Sequence, residues 1–195
     1  MSDSQDVDRA ATAVRDGDLV AYPTETVYGL GADALSEEAV ERVFEAKQRD
    51  RDKPISLAVP DVDAALEYVR ATDREERFMR EFLPGPVTVL CEKTEEEPDA
   101  LTAGRERVGV RVPDHAIALS LLREVAPVTA TSANVSGCPS ATRVEDLDSE
   151  IRDAATVVLD GGTTGGTGST VVHVETGDFH RRGPNADAVA AWLER

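Results

Sequence analysis

Short runs of apolar residues alternate along the chain with longer segments in which apolar residues recur every three or four positions. The short runs, several of which end at a proline, predict buried strands, and the periodic segments predict helices. The predicted strands are 19–22, 55–59, 87–91, 108–112, 128–131, 156–159, 170–174 and 179–181. The predicted helices are 7–15, a segment capped by Ser36 that reaches Lys47, 62–69, 74–82, 116–124 and 186–193. This mixture of elements without an internal repeat favours an α/β domain.

The chain length of 195 residues and the lack of a linker rich in proline, glycine or serine predict one domain over 1–195. No run of about 18 apolar residues predicts a membrane span. The first residues carry neither the basic region nor the apolar stretch of a secretory signal. Cys91 and Cys138 are too far apart for a Cys-x-x-Cys pair, so they predict no disulfide framework or metal site. We therefore expect a cytoplasmic protein that does not contact a membrane.

Acidic residues dominate the charge of the chain, with 38 Asp and Glu against 21 Lys and Arg and a formal net charge of −17. Only three of the basic residues are lysines, at positions 47, 53 and 93. An acidic surface of this kind is typical of a halophilic protein. It also disfavours direct binding of nucleic acid, because a phosphate backbone needs a cationic face.

Four cations nevertheless lie within seven residues, just before the predicted strand 55–59: Lys47, Arg49, Arg51 and Lys53. Their position beside a sheet favours an anion-binding site, since ligand clefts of α/β domains open at strand ends. The alternative is an exposed loop in which Asp50 and Asp52 pair with these cations.

Two further segments carry candidate chemistry. Arg111 lies within the apolar strand 108–112, where its guanidinium needs either a bound carboxylate or phosphate or an internal ion pair. Thr131, Ser132 and Asn134 follow the strand 128–131, where hydroxyls and an amide suit polar ligand atoms, although a capping turn would look similar.

The glycine-rich segments fit known nucleotide motifs poorly. Gly29 and Gly31 lie six residues beyond the strand 19–22, whereas a dinucleotide-binding turn follows its strand directly. In the segment 161–168, Thr167 occupies the position at which a phosphate-binding loop requires lysine, so a mobile connection is the simpler interpretation. The three histidines show no metal-ligand spacing, and the absence of Gly-x-Ser-x-Gly gives a serine hydrolase no support.

Taken together, the motifs resemble those of the YrdC/Sua5 family of threonylcarbamoyl-AMP synthases. They occur in family order over residues 19–183. The matching segments are Tyr22-Pro-Thr-Glu-Thr-Val-Tyr-Gly-Leu-Gly31, Lys47-x-Arg49 with Pro54, Leu83-Pro-Gly-Pro-Val-Thr88, Val110-Arg111-Val-Pro113, Ser132-Ala-Asn134 with Ser136-Gly137 and Pro139-Ser140, Ser169-Thr170, and Arg181 with Gly183.

The resemblance implies a single, twisted, open mixed-sheet domain of the YrdC/RibB-like type with a large concave ligand cavity. It further implies the short form of the family, without the additional domain of longer Sua5 members. The implied reaction condenses L-threonine, bicarbonate and ATP to L-threonylcarbamoyl-AMP and pyrophosphate, with Mg²⁺ accompanying ATP and no organic cofactor. A separate threonylcarbamoyl transferase complex would use the product to modify adenosine 37 of tRNA, so tRNA would be an indirect partner.

The resemblance also assigns site residues. Lys47 and Arg49 would act catalytically by stabilising charge, and no general base or protein metal ligand is assigned. The residues expected to bind ATP are Lys47, Arg49, Arg51, Arg107, Ser132, Asn134, Ser140 and Arg181. Those expected to bind threonine are Thr24, Ser56, Arg111 and the backbone at Ala130. Asp50 departs from the family pattern, which usually has proline there.

Two other functions remain open at this point. The first is a double-stranded RNA-binding module that uses the same cavity, which the net charge of −17 disfavours. The second is a carbamoyl-adenylating paralogue that uses carbamoyl phosphate. The lack of acylphosphatase and zinc-finger segments in this sequence disfavours that function.

Overall fold

The structure is a computed structural model that describes residues 4–195, so the first three residues of the predicted domain lie outside the described part. The helices are α1 (Ser4–Arg15), α2 (Glu37–Lys47), α3 (Val62–Tyr68), α4 (Asp73–Phe82), α5 (Asp99–Thr102), α6 (Ala116–Glu124), α7 (Ser149–Ala154) and α8 (Ala186–Leu193), with a 3₁₀ turn at Val144–Asp146. The strands are β1 (Leu19–Tyr22), β2 (Gly29–Gly31), β3 (Ser56–Ala58), β4 (Val69–Arg70), β5 (Val87–Lys93), β6 (Arg107–Arg111), β7 (Val128–Ser132), β8 (Ala155–Val158), β9 (Thr170–His173) and β10 (Asp178–Arg181).

The ten described strands form one mixed sheet in the order β10-β9-β5-β6-β3-β7-β2-β1-β8, and β4 pairs with β5 beside this path. Three neighbouring pairs are parallel, namely β1 with β8, β3 with β6, and β5 with β9. The other pairs are antiparallel. This sheet confirms the prediction of an α/β domain with an open mixed sheet.

The two faces of the sheet differ in what covers them. One face packs against α2, α4, α7 and α8, and the larger apolar cluster lies between them. The opposite face meets α1 and α6 only at the end that contains β1 and β8, where a smaller apolar cluster forms. Because side chains alternate between faces along a strand, residues such as Ser56 and Ala58 share this second face. The part of that face beyond α1 and α6 is therefore available as the floor of a cavity.

The predicted elements that recur in the structure are those with clear periodicity, while four short elements were not predicted: β2, β4, α5 and α7. In β2, two of the three residues are glycines, so no apolar pattern marks the strand. A side chain at Gly29 would lie 2.9 Å from the Tyr22 ring, which explains why glycine stands there. Within the acidic segment 95–99, which the charge pattern alone would place in solvent, Glu97 is buried and accepts a hydrogen bond from Thr94 Oγ1 at 3.0 Å.

Candidate active site

A cavity of about 720 Å³ lies on the sheet face that α1 and α6 leave uncovered. Its floor consists of alternate residues from neighbouring strands, since only every second side chain of a strand points to one face. On β6, Val108 and Val110 enter the core, while the residues between and beside them face the cavity. The floor residues of the sheet are Tyr22, Gly29, Ser56, Thr88, Leu90, Arg107, Gly109, Arg111, Ala130, Ser132, Val171, His173 and Arg181.

The cavity is deepest at the middle of its floor, because the residues there are small. A Cβ atom added at Gly109 would lie well inside van der Waals contact of Ser56 Oγ and 3.0 Å from Thr88 Cγ2. Gly109 therefore leaves room for the Ser56 hydroxyl, which faces the cavity. Arg107 and Arg111 flank this low point on the same strand, about 13 Å apart at a rise of about 3.3 Å per residue. The cavity thus has cations on both sides of a trough.

The charge of the cavity is opposite to that of the protein. Its lining contains six cationic side chains and one carboxylate, in a chain with 38 acidic and 21 basic residues. These side chains are Arg49, Lys53, Arg105, Arg107, Arg111, Arg181 and Glu106. A concentration of cations within walls of low dielectric constant attracts anionic ligands.

Arg49 and Arg181 are held by neutral oxygens. Arg49 donates from Nε to the carbonyl of Lys53 and from Nη2 to that of Pro54, both at 3.0 Å. Arg181 donates from Nε to the carbonyl of Ser169 at 2.6 Å and from Nη2 to its hydroxyl at 2.9 Å. Burial lowers the pKa of Arg181, and the neighbouring charges of Arg111 and Arg49 lower it further. These guanidiniums are fixed in place while their charge remains available to a bound anion.

Arg111 is the most buried arginine of the cavity, with a side chain that is 11% exposed. Its Nη2 donates to Thr26 Oγ1 at 2.6 Å and lies 3.0 Å from Glu25 Oε1. Thr24 lines the cavity beside it and donates its hydroxyl to the carbonyl of Val27 at 2.6 Å. Of the two alternatives predicted for Arg111, the internal ion pair is present. Because the residue also lines the cavity, its binding of an anionic ligand stays a prediction.

Lys47 and Asn134 lie behind the cavity wall. Lys47 is 1% exposed and donates from Nζ to the backbone carbonyls of Ser132 and Asn134, the latter at 2.8 Å. Burial, followed by the charge of Arg49, lowers the pKa of Lys47 to about 8. The side chain of Asn134 donates to the carbonyls of Val135 and Cys138, at 2.8 and 2.9 Å, and accepts from Ser140 Oγ at 3.4 Å. Lys47 and Asn134 do not line the cavity, and in this structure both residues hold the loop after β7, so their contact with ATP stays a prediction.

Arg51 lies on the outer surface and does not line the cavity. It donates to Glu41 Oε2 from both Nε, at 2.8 Å, and Nη2. Lys53 has a mixed position, because it lines the cavity mouth and also pairs with Asp50 at 2.6 Å. The alternative of pairing within the loop therefore holds for Lys53 and Asp50, whereas Arg51 pairs with Glu41 of α2. The structure gives no geometric support to the assignment of Arg51 to ATP.

Nine of the twelve predicted site residues line the cavity: Thr24, Arg49, Ser56, Arg107, Arg111, Ala130, Ser132, Ser140 and Arg181. Their individual roles stay predictions. The sequence reasoning did not identify Tyr22, Gly109, His173 and His180 as parts of the cavity lining. Alternation along β6 would have identified Gly109, because it lies two residues from both Arg107 and Arg111.

The glycine-rich segment 161–168 crosses the outside of the segment that carries Thr24 and Thr26. The backbone amides of Gly165 and Gly166 donate to the carbonyls of Glu25, at 3.3 Å, and Thr26, at 2.6 Å. The hydroxyl of Tyr28 donates to the carbonyl of Gly162 at 2.9 Å. The segment thus braces the cavity wall, a role that its composition did not predict.

Within residues 4–195, no group of three or more histidine, cysteine or acidic side chains is arranged to hold a metal ion. In the same range, no helix has the length and apolar character needed to cross a membrane.

Comparison with known proteins gives consistent results. The family model Sua5/YciO/YrdC, whose description reads "Telomere recombination", matches residues 12–183. A threonylcarbamoyl-AMP synthase of Pyrococcus abyssi is 42% identical over 166 residues, which cover 84% of this chain and 49% of that protein. A threonylcarbamoyl-AMP synthase of Vibrio vulnificus is 34% identical over 187 residues, which cover 94% of each chain.

Among solved structures, the P. abyssi Sua5 complexed with L-threonine superposes with a TM-score of 0.86 at 37% identity. The match covers 94% of this chain and 55% of that one, so this chain spans about half the length of its P. abyssi relative. The agreement of the family model, the relatives and the fold over nearly all of the sequence shows that the chain belongs to the Sua5/YciO/YrdC family.

Proposed function

We propose that the protein condenses L-threonine, bicarbonate and ATP to L-threonylcarbamoyl-AMP and pyrophosphate. The observation that carries this proposal is the cavity of about 720 Å³ on the sheet face, which six cationic side chains and one carboxylate line. A reaction among three anionic or zwitterionic substrates requires such a site, because their mutual repulsion must be cancelled before they can meet. The names of the relatives and the threonine bound to P. abyssi Sua5 support the same activity.

The division of the cavity suggests where each substrate binds. The Arg111 end offers a guanidinium together with the hydroxyls of Thr24 and Ser56, which suits the carboxylate and hydroxyl of threonine. The end that contains Arg49 and Arg181 offers the charges needed by a triphosphate. Mg²⁺ would enter as part of the nucleotide substrate, bound to the phosphates. The trough between the two ends then brings the amino group of threonine near the α-phosphate.

The chemistry has two steps. The amine of threonine attacks the carbon of bicarbonate, which forms the N–C bond of a carbamate and releases water. A carbamate oxygen then attacks the α-phosphorus of ATP, and pyrophosphate leaves as the P–O bond breaks. The protein contributes by holding the reactants together, a term of about 7–11 kcal/mol for ideal orientation. The arginines stabilise the charge that develops on the phosphate oxygens and on the leaving group.

We further propose a cytoplasmic enzyme whose product passes to a separate threonylcarbamoyl transferase complex for modification of adenosine 37 in tRNA. The net charge of −17 supports an indirect relation to tRNA.

The same charge supports adaptation to high salt, which screens repulsion between surface carboxylates. The melting temperature is therefore expected to rise between about 0.1 M and about 2 M KCl, and an unchanged value would contradict the halophilic assignment.

The function is tested by pyrophosphate release from ATP and Mg²⁺ in high KCl, with threonine and bicarbonate omitted in turn. We expect release only when both are present, together with a product of the mass of threonylcarbamoyl-AMP. Arg49→Ala should abolish release, whereas Arg42→Ala, which removes a surface arginine paired with Glu38 and Asp18, should not.

Other outcomes would identify the alternatives. Turnover with carbamoyl phosphate in place of threonine and bicarbonate would favour the carbamoyl-adenylating paralogue. Retention of double-stranded RNA at low salt without pyrophosphate release would favour the RNA-binding module. Either result would refute the proposed synthase activity.

A further inference from the structure

We infer that Glu25 is the positioning residue of Arg111, and that its buried negative charge sets the guanidinium for the carboxylate of the amino-acid substrate. This inference rests on the proposed function, in which Arg111 binds threonine. Glu25 itself does not line the cavity. Its effect on the substrate therefore passes through Arg111.

The contacts of Arg111 are confined to one edge of its guanidinium. Within residues 4–195, its hydrogen bonds and ion pair to other side chains run through Nη2, which reaches Thr24, Thr26 and Glu25. Nε is buried without a hydrogen-bond partner. Nη1 has no side-chain partner among the described residues and is therefore the donor left for a ligand. An arginine held by one edge presents its other donors in a fixed orientation, which suits a carboxylate.

The carboxylate of Glu25 is turned inward. Both of its oxygens are buried and lack a hydrogen-bond partner of good geometry among the described residues. The nearest cation is Arg111, at 3.0 Å. His115, whose Nδ1 is also buried without a partner, lies close enough for the charge of Glu25 to raise its pKa against the larger effect of burial. A buried carboxylate without a cationic partner would destabilise the fold. The ion pair with Arg111 therefore explains how the charged side chain of Glu25 can be buried here.

Arg111 needs this partner because two other guanidiniums are near. Arg49, Arg111 and Arg181 all line the same cavity, and the charges of Arg111 and Arg49 lower the pKa of Arg181 further after burial. Without a negative charge behind it, Arg111 would be repelled by Arg49 and Arg181. Glu25 lies on the side away from the cavity, so it compensates this repulsion without occupying ligand space.

The backbone of Glu25 is held as firmly as its side chain. Its carbonyl accepts a hydrogen bond from the amide of Gly165 at 3.3 Å, and the next carbonyl, of Thr26, accepts one from Gly166 at 2.6 Å. A Cβ atom at Gly165 would lie 2.8 Å from the Glu25 carbonyl oxygen, so the close approach requires glycine. The glycine-rich segment therefore fixes the loop between β1 and β2 from which Glu25 reaches Arg111.

The test compares Glu25→Gln, which removes the charge, with Glu25→Asp, which keeps it, in pyrophosphate-release assays of the full chain. Arg111 contacts threonine in both the ground state and the transition state, so its misplacement should mainly weaken binding. We expect Glu25→Gln to raise the KM for threonine by about tenfold or more, with kcat and the KM for ATP changed less than about threefold. Glu25→Asp should recover most of the loss.

A binding measurement separates positioning from a general structural role. Wild-type protein should bind L-threonine more tightly than L-threoninamide, which lacks the carboxylate. Glu25→Gln should lose most of this preference. The matched control is Glu38→Gln, which removes an exposed partner of Arg42 outside the cavity and should leave the preference intact. Melting temperatures of all variants, recorded without substrate, identify any variant that fails to fold.

The outcomes are distinguishable from failure of the proposed function. If the wild-type protein shows no threonine-dependent release, the proposed function is wrong. If the wild-type protein is active but a folded Glu25→Gln variant retains its threonine KM and its preference for the carboxylate, the role of Glu25 is refuted. Equal losses for threonine and ATP, or a Glu25→Asp variant no better than Glu25→Gln, would also refute it.

Discussion

Arginines in the cavity and arginines on the outer surface satisfy their donors in different ways. On the surface, Arg42, Arg51 and Arg80 each pair with one or more carboxylates, and their side chains are 43%, 59% and 48% exposed. In the cavity, Arg49 and Arg181 donate to backbone carbonyls and a hydroxyl. Carboxylates outnumber cations in this chain by 38 to 21, so their scarcity in the cavity lining is a local feature of the fold.

This difference shows how one residue type serves two purposes. A carboxylate partner neutralises the arginine, whereas a carbonyl oxygen fixes its geometry and leaves its charge available. Exposed ion pairs contribute about 0–1 kcal/mol to stability, so the surface pairs mainly suppress charge repulsion. The cavity arginines lie beside other cations, and a bound anion offsets the repulsion between them. Arg107 and Arg111 are intermediate cases, since each has one carboxylate partner, Glu75 and Glu25 respectively, that does not line the cavity.

The largest expected effect separates two adjacent residues. Arg181→Ala removes a cation that lines the cavity, whereas Arg182→Ala removes an arginine outside the cavity lining that pairs with Asp187 at 3.2 Å. We expect kcat/KM for ATP to fall by about 100-fold or more in the first variant, as when a stabilising donor is lost, and by less than about twofold in the second. Steady-state pyrophosphate release measures both. Similar losses in the two variants would remove the distinction between cavity and surface arginines.

The floor of the trough provides a second test. Gly109→Ala places a methyl group against Ser56 Oγ and 3.0 Å from Thr88 Cγ2, so the threonine end should be distorted. We expect the KM for threonine to rise by about tenfold, equivalent to about 1.4 kcal/mol, and the melting temperature to fall. The double variant Ser56→Ala/Gly109→Ala should melt at a higher temperature than Gly109→Ala, because the colliding hydroxyl is gone. If the changes in melting temperature caused by Ser56→Ala and Gly109→Ala simply add in the double variant, the close contact between the two positions is contradicted.

Buried Lys47 predicts a pH dependence of stability. Its pKa is lowered from 10.5 to about 8 in the folded protein, so the unfolded chain binds more protons between these values. The free energy of unfolding therefore gains a favourable contribution as the pH rises from 7 to 9, by about 1 kcal/mol. Denaturant unfolding of the wild-type protein and of Lys47→Met, at both pH values, isolates this contribution. A difference between the two proteins that does not change with pH would show that Lys47 titrates normally.

The smallest expected effect concerns Arg51. Because Arg51 is exposed and bound to Glu41, Arg51→Ala should change kcat/KM for ATP by less than about twofold. A loss comparable with that of Arg181→Ala would restore Arg51 to the ATP site and imply that its loop rearranges on binding.

The strands of the fold were predictable because their alternation reflects the two faces of the sheet. Val108 and Val110 enter the core while Arg107, Gly109 and Arg111 face the cavity, and this pattern is visible in the sequence. The short strand β2 was not predictable, because its pairing with β1 and β7 rests on tertiary contacts and close packing against Tyr22.

The cations of the site were harder to sort from the sequence. Lys47, Arg49 and Arg51 lie at alternate positions of one segment, yet one is buried, one lines the cavity and one is exposed. The backbone decides this, since Gln48 adopts a left-handed conformation (φ 48°, ψ 43°) that ends α2 and redirects the chain. Sequence patterns did not indicate this turn. Nor did they show whether a carboxylate near Arg111 would come from the protein or from a ligand.

A crystal structure with L-threonine and a non-hydrolysable ATP analogue would show whether one cation-lined cavity binds both substrates. We expect the threonine carboxylate within about 3 Å of the Arg111 guanidinium and the phosphates between Arg49 and Arg181. Binding of either ligand outside this cavity, or phosphates on Arg111 with threonine at Arg181, would contradict it.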